Sequence, residues 1–313
     1  MSSHKPHNDP NKHHIVPASY IEKWANGAGK VIEFRLIKGA YFSALPKHPN
    51  ATGYAPGIYA LPSDAKEEKQ FIEKKILQPI DTHASIAHSI LLSENPDRLN
   101  SQYVYSFSKF INSLVFRRIS VAQQLIEGVP NFISKQLDED KGVISQMLDI
   151  GLKEAPSNFV LKESPAKIKN SGAKVLANLL EKSDENINEI LMAQWEIFDF
   201  QSTHETLLLG DNAPLIYNIQ SMGRFIWLPL CPTKALLIAK NESQIDFFTQ
   251  KNRTKLLRAL NSDTVIRSDN FVWANDRWDT PYLHAFVKKR MKLRKPFHLP
   301  SLDLKQSKMN PDK

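Results

Sequence analysis

The sequence predicts an α+β fold in which a helical middle region packs with a mainly antiparallel sheet, flanked by an N-terminal strand and a C-terminal helix. Three observations predict it. Between about residues 65 and 192 apolar residues recur at three- and four-residue steps, the period of a helix with one buried face. Between about 193 and 280 the texture changes to short apolar runs separated by Gly, Asn, Asp and Pro, the pattern of a β-meander. The chain is 313 residues long with 42% hydrophobic residues, enough to bury a sizeable core in a single domain over residues 13–295. Residues 1–12 are expected to be flexible, and residues 296–313 to form a flexible basic tail.

Each element follows from local chemistry. Order begins at His13, and Ala18 to Ala25 reads as helix. Val31 to Ile37 reads as a strand after the Asn26-Gly27-Ala28-Gly29 turn, and residues 44–63 as a Pro/Gly-rich loop ending at Gly57-Ile58-Tyr59. From about Ala65 to Leu92, Ile76, Leu77, Ile80, Ala84, Ala87 and Leu91 make a helical stripe that Pro79 should kink or divide. A second helix runs from about Tyr103 to Glu127, and Gly128-Val129-Pro130 should end it. Two or three further helices are expected over residues 131–192, with Ser183-Asp184-Glu185-Asn186 as a cap. Strands are expected at Trp195–Phe200, Thr206–Leu209, Pro214–Tyr217, Arg224–Leu230 and Ala235–Ala239, with the N-terminal strand a candidate to join them. A helix at Ser243–Leu260, a strand at Asp269–Ala274 and a helix from about Pro281 complete the order.

Composition excludes several classes. No apolar run approaches the roughly 20 residues of a membrane helix, and the polar start lacks the apolar core of a signal peptide, so no membrane partner and a cytoplasmic location are expected. Cys231 is the sole cysteine, which rules out an internal disulfide or a Cys-based zinc cluster, and its apolar flanks suit a buried structural thiol. The net charge of +8 is concentrated: Lys288 to Lys313 holds nine Lys or Arg against two Asp, a net +7. Lys288, Lys289, Arg290, Lys292, Arg294 and Lys295 are the candidate nucleic-acid contacts, with a solvated helix end as the plainer account.

Two charges fall where apolar residues are expected. Arg118 sits near the centre of the stripe of Ile111, Leu114, Val115, Val121, Ala122 and Leu125, with Arg117 turned about 100° away. Glu73 shares a face with Ile76, Leu77, Ile80, Ala84 and Ala87. A buried charge needs a partner, so the two either fix a helix crossing as an ion pair or line a site. His13 and His14 are adjacent, so in an extended strand they point to opposite faces and only one is expected to work. Gly210-Asp211-Asn212-Ala213-Pro214 lies between apolar runs, where an Asp-Asn pair commonly caps a turn and where Asp211 could instead orient a catalytic His or hold a metal.

His14-Ile15-Val16-Pro17, followed by Tyr20 and Trp24, resembles the opening of the bacterial family catalogued as domain of unknown function 4238. Its members begin with His, an aliphatic or aromatic residue, Val-Pro, then Tyr-Leu and an aromatic; here Ile21 stands for the Leu and Trp24 for the usual Phe. The resemblance extends in order through Gly57 to Tyr59, the Glu73 and Arg118 helices, the Asp211 turn and Trp227-Leu228-Pro229-Leu230. At the turn, Gly210 replaces the family's Ser and Ala213 is inserted before Pro214. The resemblance implies His14 as the motif histidine, an acidic residue after the Tyr59 element and an Arg in the following helix.

The functional expectation is a phosphodiester hydrolase, nuclease-like, with His14, Asp211 and Glu73 as catalytic residues and Arg118, Tyr59 and Asn212 as substrate-binding residues; a divalent metal is compatible with that set. His-His-Ile-Val-Pro also looks like the first strand of an HNH endonuclease, but a helix follows it here where those proteins carry a hairpin. The alternative is a non-catalytic module that binds nucleic acid or protein through the basic tail. A toxin or phage-defence effector is a third reading, by analogy alone.

Overall fold

Pleats and stripes in the sequence become three small sheets wrapped by a helical layer in the computed structural model, which describes residues 12–37, 41–59, 70–93, 99–165, 168, 170–276 and 283. Its elements are, in order, β1 (Lys12–His14), α1 (Ala18–Ile21) with a 3₁₀ turn at Glu22–Trp24, β2 (Val31–Ile37), β3 (Tyr41–Lys47) and β4 (Tyr54–Pro56). The helical region follows as a π-helical segment at Ile72–Leu77, α2 (Gln78–Leu92), α3 (Ser101–Arg117), α4 (Ile119–Glu139), α5 (Lys141–Asp149), α6 (Pro156–Glu163), α7 (Ser171–Lys182) and α8 (Asp184–Leu191). Then come β5 (Gln194–Asp199), β6 (Leu209–Gly210), β7 (Leu215–Ile219), β8 (Gly223–Cys231), β9 (Lys234–Ala239), α9 (Glu242–Thr249), α10 (Arg253–Arg267) and β10 (Phe271–Ala274). Helices pack against antiparallel sheets, so the class is α+β as expected.

The sheets explain the apolar runs. β5-β9-β8-β7 is an antiparallel sheet whose central strands β8 and β9 are buried on both faces. On β8, Phe225 and Trp227 join Phe248, Leu256 and Leu257 under α9 and α10, while Ile226, Leu228 and Leu230 join the core shared with α2, α3 and α8. Two buried faces remove the polar half of the strand pattern, which is why Phe225 to Cys231 reads as an unbroken apolar run. The second sheet is β3-β2-β10-β6, and the third pairs β1 with β4.

Several boundaries depart from expectation. Residues 44–63 do not form one loop: Tyr41–Lys47 pairs with β2 and Tyr54–Pro56 with β1. The N-terminal strand β2 joins β10 rather than the meander, and of Thr206–Leu209 only Leu209 enters a strand, beside β10. The expected helix over Ser243–Leu260 is two helices, α9 and α10. Gly128-Val129-Pro130 does not end a helix, because α4 runs through Pro130. Pro130 offers no N–H to the Ile126 carbonyl, and α7 approaches there so closely that a Cβ on Gly172 would lie 2.7 Å from that oxygen. Among the described residues, 131–192 hold the rest of α4 and four helices, α5 to α8, where two or three are expected. Ser183 precedes α8, but its hydroxyl bonds the Leu179 carbonyl rather than capping. The helix expected from Pro281 lies outside the described residues, Leu283 excepted, as does the basic tail.

Candidate functional site

The His-Val-Pro segment is first a packing device. Ile15, Val16, Tyr20, Ile21 and Trp24 are all buried. The Tyr20 hydroxyl donates to the Pro229 carbonyl, and Trp24 Nε1–H donates to the Leu207 carbonyl at 2.7 Å, so the segment is tied to the β-rich part from which it is distant in sequence. Tyr20 also meets Trp24, His88 and Phe110 edge-on. Gly53 makes the fit close: its carbonyl accepts the Ile15 N–H at 2.9 Å, and at φ +71° a Cβ there would sit 2.5 Å from Ile21 Cδ1.

Strand β1 then delivers the two histidines to a cleft of about 410 Å³, lined among others by Lys12, His13, His14, Gln70, Glu73, Lys74 and Asp81. Their roles differ because their faces differ. His13 is buried and stacks on Tyr59 with ring centroids 5.5 Å apart, and its Nδ1 accepts the Tyr59 N–H at 2.8 Å. His14 is half-buried and meets Tyr54 edge-on. Burial lowers the pKa of His14 below its ordinary value, and the charges of Arg117 and Lys12 lower it further. Burial, with His14 alongside, lowers His13 as well.

Glu73 enters from the π-helical segment, where the Gln78 N–H reaches back five residues to the Glu73 carbonyl. Pro79, next in the chain, has no N–H to continue an ordinary ladder, and the wider turn is the accommodation. Here the helical stretch is divided next to Pro79, as expected, into the π-helical segment that carries Glu73 and α2. The Glu73 carboxylate accepts the His14 N–H, and its Oε2 has no partner. Burial pushes its pKa up to about 7, Arg117 opposing and Asp81 adding to the rise.

Behind the cleft, Arg117 forms a fork-to-fork pair with Asp81, at 3.0 Å (Nη1 to Oδ2) and 2.6 Å (Nη2 to Oδ1). The guanidinium is only 1% exposed. Burial works against its charge, and Asp81 overrides that and raises its pKa. Tyr59, also buried, donates its hydroxyl to the Arg117 carbonyl at 2.9 Å and so links the Arg117 helix to His13.

The structure therefore brings His14, Glu73 and Tyr59 to one place and puts Arg118, Asp211 and Asn212 in another. Arg118 is not mid-helix: its extended ψ of 133° separates α3 from α4, and its Nη2 donates to the Asn212 and Pro214 carbonyls at 2.9 and 2.5 Å. Burial lowers its pKa to about 10. Asp211 caps the turn before β10, accepting the N–H groups of Asp269, Asn270 and Phe271 at 2.7, 2.6 and 3.0 Å. Burial and Asp269 push its pKa up to about 7 while those three bonds pull it down. Both carboxylate oxygens are thus engaged in the turn, and Asn212 donates to the Arg267 carbonyl. None of the three lines the cleft. Glu205 pairs with Arg258. Cys231 is half-buried at the end of β8, 3.5 Å from the Thr233 hydroxyl. Among the described residues no group of three or more His, Cys, Asp or Glu is arranged to hold a metal ion. Lys288, Lys289, Arg290, Lys292, Arg294 and Lys295 lie outside the described residues.

With that geometry in place, comparison with known proteins gives one match: the family described as protein of unknown function DUF4238, over residues 12–277. The chain belongs to this family. No curated protein and no solved structure matches it. The DUF4238 match begins at Lys12 and so takes in the whole cleft lining and the Asp211 turn, and it stops short of the basic tail. In this DUF4238 chain the site residues that sequence reasoning missed are Asp81, Arg117, His13 and the rim cations Lys12 and Lys74. A signal for Asp81 exists: Leu77, Asp81, Ala84 and His88 follow one another at three- or four-residue steps, which puts a carboxylate and a histidine on one buried face. His88 on that face is a packing residue, held neutral by burial with its pKa down at about 4, its Nε2 2.7 Å from the Leu230 carbonyl.

Proposed function

We propose that the protein is a hydrolase of phosphodiester bonds in which His14 is the general base and Glu73 the general acid. One observation carries the reading: two titratable groups share the cleft with their usual order of protonation reversed. Glu73 holds its proton to about pH 7, while His14 stays neutral below its ordinary value. Environments that invert a carboxyl and an imidazole in this way equip one site with an acid and a base at the same pH. His14 takes the proton of an attacking water, the water oxygen bonds to phosphorus, and Glu73 gives its proton to the departing alkoxide. Lys12 and Lys74 stand at the cleft rim, where cations favour a polyanionic chain and the charge that develops on phosphorus. Arg117, paired with Asp81, serves instead to hold the wall.

The test is turnover of bis(p-nitrophenyl) phosphate and of single-stranded DNA and RNA oligonucleotides by the full chain between pH 5 and 9. The rate is expected to peak just below pH 7 and to fall above it as Glu73 loses its proton. Glu73→Gln and His14→Ala should each lose at least about 100-fold, the usual scale of one acid or base. Binding of oligonucleotides without cleavage of any diester at any pH refutes the proposal and leaves a binding module.

A further inference from the structure

His13 is the group that the acid–base pair leaves unused, and its protonation is fixed by geometry. Its Nδ1 accepts the Tyr59 N–H at 2.8 Å, so a neutral ring must carry its hydrogen on Nε2. That Nε2 is buried and has no partner, although His13 is only 1% exposed and lines the cleft. Nor is it alone. Arg117 Nε, a second donor, is buried without an acceptor, and its charge reaches both His14 and Glu73. A buried donor without an acceptor is rare in folded chains, so the His13 Nε2–H at the cleft needs a reason. The two lysines at the same cleft, Lys12 and Lys74, supply the sign of the answer.

We propose that the floor of the cleft is a subsite for a non-bridging phosphoryl oxygen of a phosphodiester, with His13 Nε2–H as its principal donor and Lys12 and Lys74 as its counter-charges. The subsite rests on the phosphodiesterase reading and names the part of the substrate that the acid–base pair does not touch. The two histidines then divide the work by strand alternation: His14 exchanges a proton, and His13 only donates a hydrogen bond. His13 cannot be replaced in that role by its own flip, because the stack on Tyr59 and the Tyr59 N–H fix which nitrogen faces away. Because Nε2 is closed off from solvent, a ligand oxygen reaches it only when a side chain of the cleft lining moves aside.

The experiment is ¹⁵N-edited NMR of the imidazole nitrogens of the full chain during titration with dimethyl phosphate, whose poor methoxide leaving groups keep it intact over the titration, and, separately, with inorganic phosphate. His13 is expected in the Nε2–H form from the start, its Nε2 shifting on addition of the diester while His88 stays put. His13→Asn keeps an oxygen for the Tyr59 N–H but has nothing at the Nε2 position, and should weaken the diester by about tenfold or more, the scale of one charge-assisted hydrogen bond. His13→Gln, which restores a donor at that position, should recover most of it. A ring in the Nδ1–H form, or His13→Asn binding as tightly as the parent, overturns the subsite. Tighter binding of inorganic phosphate than of the diester also overturns it, since the site would then serve a free phosphate. The hydrolase reading fails separately: diester binding through His13 without turnover removes the chemistry and leaves the subsite, whereas turnover unchanged by His13→Asn does the reverse.

Discussion

Replacing Glu73 by Gln should stabilise the protein at pH 8 and leave it nearly unchanged at pH 4. The carboxyl pKa rises from 4.5 to about 7 on folding, burial being the first cause. A folded-state value above the unfolded one means that the unfolded chain gives up its proton first. Stability from this group is therefore fully present below about pH 4.5 and is lost progressively as pH rises to about 7. A shift of that size corresponds to about 3 kcal/mol, and partial solvent contact of the side chain brings the expected gain nearer to about 2 kcal/mol. Gln keeps an oxygen for the His14 N–H and never has to ionise, so the loss does not occur. Urea unfolding of parent and Glu73→Gln at pH 4, 6 and 8 measures it: the two midpoints should coincide at low pH and separate with the variant ahead at high pH. Equal midpoints at pH 8, or a variant destabilised by a constant amount at every pH, would refute the claim that this carboxylate is held in the cleft at a cost. The same cost is what makes Glu73 usable as an acid, so stabilisation should accompany loss of turnover.

Asp81→Asn leaves the guanidinium of Arg117 buried without its counter-ion and should destabilise by about 3 kcal/mol or more, measured by urea unfolding; Arg117→Met combined with Asp81→Leu should recover much of that, because an apolar pair needs no compensation. Asp211→Ala removes the acceptor of three N–H groups and should cost about 2–4 kcal/mol in the same assay while leaving diester binding unchanged, which separates its turn role from a catalytic one. Gly172→Ala places a Cβ 2.4 Å from the Leu125 carbonyl and 2.7 Å from that of Ile126, and should lower the thermal midpoint through about 1–3 kcal/mol of overpacking at the α4–α7 crossing.

What could be read in advance divides along a physical line. The class, the strands β2, β7, β8 and β9 and most of α2 and α3 follow from local periodicity, which the chain carries residue by residue. The failures lie where a distant contact overrides a local signal. Pro130 is a helix breaker by itself, yet α4 continues through it, and α7 comes within van der Waals contact of its backbone there. Pro79 does divide its helix, but the segment before it is π-helical, which local periodicity does not reveal. Residues 44–63 read as loop because their prolines and glycines are turn signals, whereas the structure pairs part of them with β2 and β1.

The misplacement of the arginine follows from the same cause and shows what the motif is for. Placing Arg118 on a stripe assumes that one helix runs from Tyr103 to Glu127; the extended backbone at Arg118 breaks that helix and resets its phase, so Arg117 faces Asp81 and Arg118 faces the Asp211 turn. Both residues are buried, so the argument that a charge there needs a partner holds for each, but the partner of Arg118 is a pair of carbonyls and not Glu73. Glu73 escapes the error because its position depends on a turn within its own segment. His14 escapes it because Ile15, Val16, Tyr20 and Trp24 nail β1 in place from both sides. The recognisable part of the motif is thus its packing, which says where two histidines are held but not what they do; the separate tasks proposed for them rest on Tyr59 behind one and Glu73 beside the other, contacts that lie 46 and 59 residues along the chain.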